Sequence, residues 1–150
     1  MSTPGYVTLT GPQTTVMIAS FSVAASAAAG TVIQGSILAF GPNSPAVSAV
    51  QVPITEVWSI VDMYTIGSVS PDAQLSIYIN GYPQDVYPNL NSMNLNLLTR
   101  FKLTQAIKIP PAATWFVTIT LLGANGSSAQ TYYVYFTVVR APFAGVSSSK

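Results

Sequence analysis

Two stretches of this chain alternate with a period of two. Trp115, Val117, Ile119 and Leu121 alternate with Phe116, Thr118 and Thr120; Tyr132, Val134, Phe136 and Val138 alternate with Tyr133, Tyr135 and Thr137. That period belongs to a strand with one face in a core. The same pattern recurs at LSIYI (75–79), which runs into Asn80-Gly81, a strong hairpin signal. Phe101–Ile109 is a further strand, stopped by Pro110-Pro111. The turn regions are GPNSP (41–45), 67–73 and GANGSS (123–128). Seven or eight strands at this spacing, with little helix, predict an all-β fold, a β-sandwich.

Three regions are harder to place. Val16–Phe40 has no charge and exceeds the ~20 residues that span a bilayer. Its serines, Gln34, Gly30 and Gly35, and the lack of flanking Lys or Arg, favour two strands (Thr14–Ala24 and Thr31–Phe40) joined by SAAAG, and make a membrane segment the weaker reading. The Ala run also suits a short helix. Val47–Ile66 places Val52, Ile54, Trp58, Ile60, Tyr64 and Ile66 on one parity, interrupted by Glu56 and Asp62, with Val57, Val61 and Met63 on the other. Tyr82–Asn96 is a long loop rich in Asn and Pro, of a length at which loops are functional or locally ordered. The expected organisation is one domain over 1–150, with residues 1–13 an arm holding a short strand at Tyr6–Thr10, and 143–150 a loose tail.

Charge decides which functions are open. Only 6% of residues are charged, against roughly a quarter in an ordinary domain, and there is no His and no Cys. Thiolate metal sites, disulfides, imidazole switches and a Ser–His–Asp triad are thereby excluded. A Ser–Lys arrangement stays open. Glu56 and Asp62 would stand about 20 Å apart on one strand, too far to flank a single bond. Asp72 and Asp85 fall in or near turns, where Asp bonds local backbone. Asp62 interrupts an apolar face and is expected either to pair with Arg100, Lys102 or Lys108 or to sit at a sheet rim. Asp85, Asn89, Asn91 and Asn94 supply oxygens for calcium but only one charge. The expectation is a non-enzyme with no cofactor and no metal. The five bases all lie at or after Arg100 and are scattered, so no direct nucleic-acid contact is expected. With four acids and no His, stability should be flat across a wide acid range.

A chain this poor in charge has little repulsion between copies, and its composition suits assembly. If Trp115 and Tyr132 face the core, then Phe116, Tyr133 and Tyr135 face outward, and these three are the candidate subunit-interface residues. Trp58 and Trp115 are in phase with Ile and Val and are expected in the core. Tyr82 and Tyr87, on the long loop, are candidate contacts for a ligand or receptor.

The order VPITEVWSIVDMYT, DAQLSIYINGYP, the Asn-rich loop, KLTQAIKIPPAATWFVTIT and QTYYVYFTVV resembles the small jelly-roll structural proteins (capsid, turret or spike) of archaeal viruses from hot acidic habitats. The resemblance covers roughly residues 47–140. It implies a single jelly-roll-like antiparallel β-sandwich of about eight strands, a homo-oligomer that also contacts other virion proteins, and a virion location. The rivals are a carbohydrate- or receptor-binding sandwich, perhaps reading a host glycan, and a cell-surface filament or surface-layer subunit.

Overall fold

The computed structural model describes residues 9–39, 44–67, 69–94 and 101–143. These hold ten strands and one short 3-10 helix. The strands are β1 (Gln13–Val23), β2 (Val32–Gln34), β3 (Ser36–Leu38), β4 (Val50–Gln51), β5 (Glu56–Tyr64), β6 (Ala73–Ile79), β7 (Tyr82–Pro83), β8 (Phe101–Ile109), β9 (Thr114–Leu121) and β10 (Gln130–Pro142). One sheet has the order β3-β1-β10-β5-β8. The other has β2-β9-β6-β7, with β4 also on β9. Every strand pairing is antiparallel.

Leaving out the short β3 and β4 and counting the other eight in chain order gives 1-8-3-6 in one sheet and 2-7-4-5 in the other. That is a jelly roll, two Greek keys wrapped into a pair of facing sheets. The sequence-based fold class is therefore correct. Both faces toward the interior are apolar, and they enclose one core that includes Met17, Phe21, Ile37, Trp58, Trp115 and Phe136. Trp115 on β9 meets Phe136 on β10 edge-to-face, with centroids 5.6 Å apart. Both Trp residues are fully buried, as their phase predicts.

The uncharged N-terminal stretch is strand, not membrane helix. No helix among the described residues is long and apolar enough to cross a membrane. SAAAG forms a turn between β1 and β2, with Ser26 at φ 59°. The predicted second strand divides at Gly35. There the chain passes from one sheet to the other, its amide still bonded to the Val117 carbonyl at 2.9 Å. A Cβ at residue 35 would lie 2.7 Å from Phe21 Cε2 and 3.2 Å from Val117 Cγ2, so the crossing needs glycine for room between the sheets.

A second departure lies in β5. The pairing with β10 shifts between Thr137 and Val138, so Val61 and Asp62 together oppose Thr137. This bulge reverses the parity of the strand. Trp58 and Ile60 point inward before it, and Met63 points inward after it. Tyr64 consequently faces outward, although the unbroken period-two pattern placed it with Trp58. Ile54 and Ile66, assigned to the same face, lie outside the strand and are 74% and 56% exposed.

The Asn80-Gly81 hairpin forms as expected, with φ values of 51° and 83° that fit a type I′ turn. The Asn-rich loop is locally ordered. Leu90–Met93 makes the 3-10 turn, and Leu90 and Met93 are buried. The expected arm strand at Tyr6–Thr10 lies largely outside the described residues, as does the tail after Phe143. Gln13, assigned to the arm, is the first residue of β1.

Candidate assembly surfaces

The strand registers fix which side chains share an outer face. On the β3-β1-β10-β5-β8 sheet, Leu38, Ile18, Tyr135 and Tyr64 form one row across β3, β1, β10 and β5. The Tyr64 and Tyr135 rings stack, with centroids 5.2 Å apart and planes 5° from parallel. The bulge makes this stack possible, because it turns Tyr64 to the outside. One row over, Ser36, Ser20 and Tyr133 lie together, and Tyr133 is half exposed. In the other direction the row is Val16, Thr137, Asp62 and Lys102. The outer surface over β3, β1 and β10 is thus apolar, aromatic and hydroxyl-bearing, and the first charges on this face appear on β5 and β8.

Phe116 faces outward too, but from the opposite sheet. It stacks on Tyr78 with centroids 4.7 Å apart, and Pro83 follows Tyr78 in the same row. Phe116, Tyr133 and Tyr135 are all on outer faces, as their alternation indicates, but they do not share a surface. Alternation shows that a side chain points away from the core. It does not show to which sheet the strand belongs.

Tyr82 and Tyr87 are 74% and 45% exposed. Tyr82 pairs with Ile79 at the hairpin tip. The following segment runs back along β6, where Gln84 donates to the Ile77 carbonyl and Leu75 donates to the Pro88 carbonyl. The two Tyr backbones are separated by at least three positions along β6, roughly 10 Å or more. With Trp58 and Trp115 in the core, the aromatic residues do not gather into one stacking platform.

Of the four residues considered for calcium, Asn91 has its side chain engaged elsewhere, and Asn89 is exposed. The Asn91 side chain bonds both the amide and the carbonyl of Val69. Asp72 Oδ1 accepts from the amides of Ala73 and Asn91. Asn94 is buried and bridges Thr65, while Asp85 is exposed. No group of three or more His, Cys, Asp or Glu side chains able to hold a metal occurs among the described residues.

The remaining charges are placed in two ways. Asp62 lies opposite Lys102 in the β5–β8 register, on the outer face. Lys108 instead opposes Ser59, and Arg100 lies outside the described residues. Glu56 and Arg140 form a buried ion pair that the sequence does not announce, since they are 84 residues apart. Arg140 Nε donates to Glu56 Oε1 and Nη2 to Oε2, both at 3.0 Å. Trp58 Nε1 also donates to Oε1, at 2.7 Å.

One end of the sandwich is tied together by neutral groups. Asn125 Nδ2 donates to the Ala24 and Ser128 carbonyls, Gln130 Nε2 donates to the Ser70 carbonyl, and the Tyr132 hydroxyl donates to the Pro71 carbonyl at 2.9 Å. Burial pushes the Tyr132 phenol above its usual pKa, with the nearby Asp72 charge adding to the shift. A phenol whose folded pKa is raised leaves stability intact below about pH 10 and removes it as pH rises further, because the unfolded chain ionises first. Denaturant midpoints measured from pH 7 to 11 should therefore fall above pH 10. Tyr132→Phe should make that fall shallower while costing about 1 kcal/mol at neutral pH for the lost hydrogen bond.

Together the strand order and these faces define a jelly-roll β-sandwich with apolar and aromatic outer surfaces. No family model matches the chain, and no curated protein matches it. A solved structure described as the crystal structure of murine APRIL at pH 8.5 aligns with 82% of this chain and 98% of its own. Its identity is 11% and its TM-score 0.35, too low to add to what the strand order defines.

Proposed function

We propose that the chain is a non-enzymatic structural subunit of a virus particle, a shell, penton, turret or spike component, that assembles through its outer sheet surfaces. The observation that carries this reading is the row Leu38, Ile18, Tyr135 and Tyr64, with half-exposed Tyr133 beside it and no charge on β3, β1 or the outward side of β10. Half-exposed aromatic residues on a charge-depleted surface are the compositional mark of a protein interface. Jelly rolls also serve lectins and cupins, so the surface carries the reading and the fold only permits it. The sequence resemblance to archaeal virion proteins points the same way. The reading includes a virion location, tolerance of acid, partners among other virion proteins, and no direct contact with nucleic acid.

The test is light scattering with size-exclusion chromatography on the purified chain, across concentration and from neutral to strongly acidic pH. Electron microscopy of the concentrated fractions completes it. Concentration-dependent oligomers and regular rings, shells or arrays are expected. A monodisperse monomer at every concentration and pH would overturn the proposal.

A further inference from the structure

The fold sorts charge by side. No ionisable side chain other than Tyr6 precedes Glu56, and Glu56 is buried. The strands β1 to β4 therefore carry no charge, and β6, β7 and β9 carry none either. The topology gathers β1, β2 and β3 at one flank: β3 and β1 begin the order of one sheet, β2 begins the other, and the chain crosses between them at Gly35. The opposite flank holds β8 with Lys102 and Lys108, and the segment after β7 with Asp85. Apolar side chains stand in water on the uncharged flank, as Ile54, Ile66 and Leu122 do elsewhere. Val32 is 61% exposed, Val16 43% and Val47 39%, with Ile18 and Leu38 half-buried between them. Val47 belongs here because its backbone pairs with Ile37 of β3.

Resting on the assembly reading above, we infer that this flank is a two-fold interface that binds the same flank of a second copy. Charge excludes one seating, and closure selects the same flank among the rest. Seating the flank on the β8 side of another copy would place the Lys102 and Lys108 ammonium groups against a surface with no carboxylate to receive them, and a desolvated, unpaired charge is costly. Two copies of this flank in contact bury no charge on the described residues, and, unlike a contact with the uncharged β9-β6-β7 face, one contact covers the exposed valines of both copies. An isologous contact of this kind closes at two chains, the commonest symmetry of soluble oligomers. The building unit of the particle is then a dimer, with the Tyr rows and the charged flanks left for later contacts.

The experiment compares Val32→Lys with Thr104→Lys, which adds the same charge at an exposed position on β8. Circular dichroism and thermal melting establish that both variants fold. Dimer dissociation constants come from sedimentation at low protein concentration. Val32→Lys is expected to weaken the dimer at least tenfold, and Thr104→Lys to leave it within twofold of the parent. If neither variant weakens association, or only Thr104→Lys does, the flank assignment fails while assembly itself stands. If both do, the contact joins unlike flanks and the two-fold is wrong. A parent chain that never associates removes the assembly reading together with this one.

Discussion

Glu56→Gln should lower stability by about 3–5 kcal/mol, the usual result of breaking a buried ion pair from one side. The carboxylate is 2% exposed and accepts from three donors, two on Arg140 and one on Trp58. A glutamine of the same shape keeps one carbonyl oxygen but turns the other contact into an amide facing a guanidinium. Arg140 then stays buried, 4% exposed, with its carboxylate partner gone. The loss is large against a typical total of 5–15 kcal/mol, and it should appear as a lower denaturant midpoint with an unchanged slope. Coupling the change to Arg140→Met separates the terms. Removing both charges should restore part of the stability, because the pair itself is worth less than the penalty for an orphaned ion. A single variant as stable as the parent would mean that solvent reaches the pair and screens it.

Phe136→Ala should cost about 3–5 kcal/mol. Phe136 sits on β10 in the middle of one sheet, and its ring meets Trp115 on β9 of the other sheet at an interplanar angle of 82°. Removing the ring leaves a cavity at the contact where the sheets meet, and neighbours at 0% exposure have little freedom to fill it. The near-ultraviolet signal of the Trp residues should weaken at the same time. Phe116→Ala is the internal comparison. It removes a ring of the same size from an outer face, where the stack on Tyr78 is worth about 0.5–1.5 kcal/mol beyond area burial. Equal losses for the two would contradict the assignment of inner and outer faces.

The local rules in the sequence account for most of the framework. Period-two alternation sets the inward residues of β6, β9 and β10, Pro110-Pro111 ends β8 at Ile109, and Asn80-Gly81 makes its turn. What the sequence leaves hidden is what depends on a neighbouring strand. The β5 bulge adds a residue relative to β10, and nothing in SIVDMY marks which residue is the extra one, so Tyr64 is misplaced by simple alternation. The sheet crossing at Gly35 depends on how near Phe21 and Val117 come to the backbone, a distance set by packing. Glu56 and Arg140 meet only because the two ends of β5 and β10 are in register. The candidate surface was legible as outward-pointing aromatic residues. Its division between two faces was not, because sheet membership is a property of topology.

The register of β1 with β10 has one more outcome. Gln13, where β1 starts, lies opposite Arg140 near the finish of β10, while Val23 lies opposite Gln130 at the far end. The backbone therefore comes into the sandwich and goes out of it at the same pole. A reporter or affinity handle joined next to Gln13 or Pro142 would be displayed from that pole, leaving the loops that follow β1, β5 and β9 unobstructed at the other.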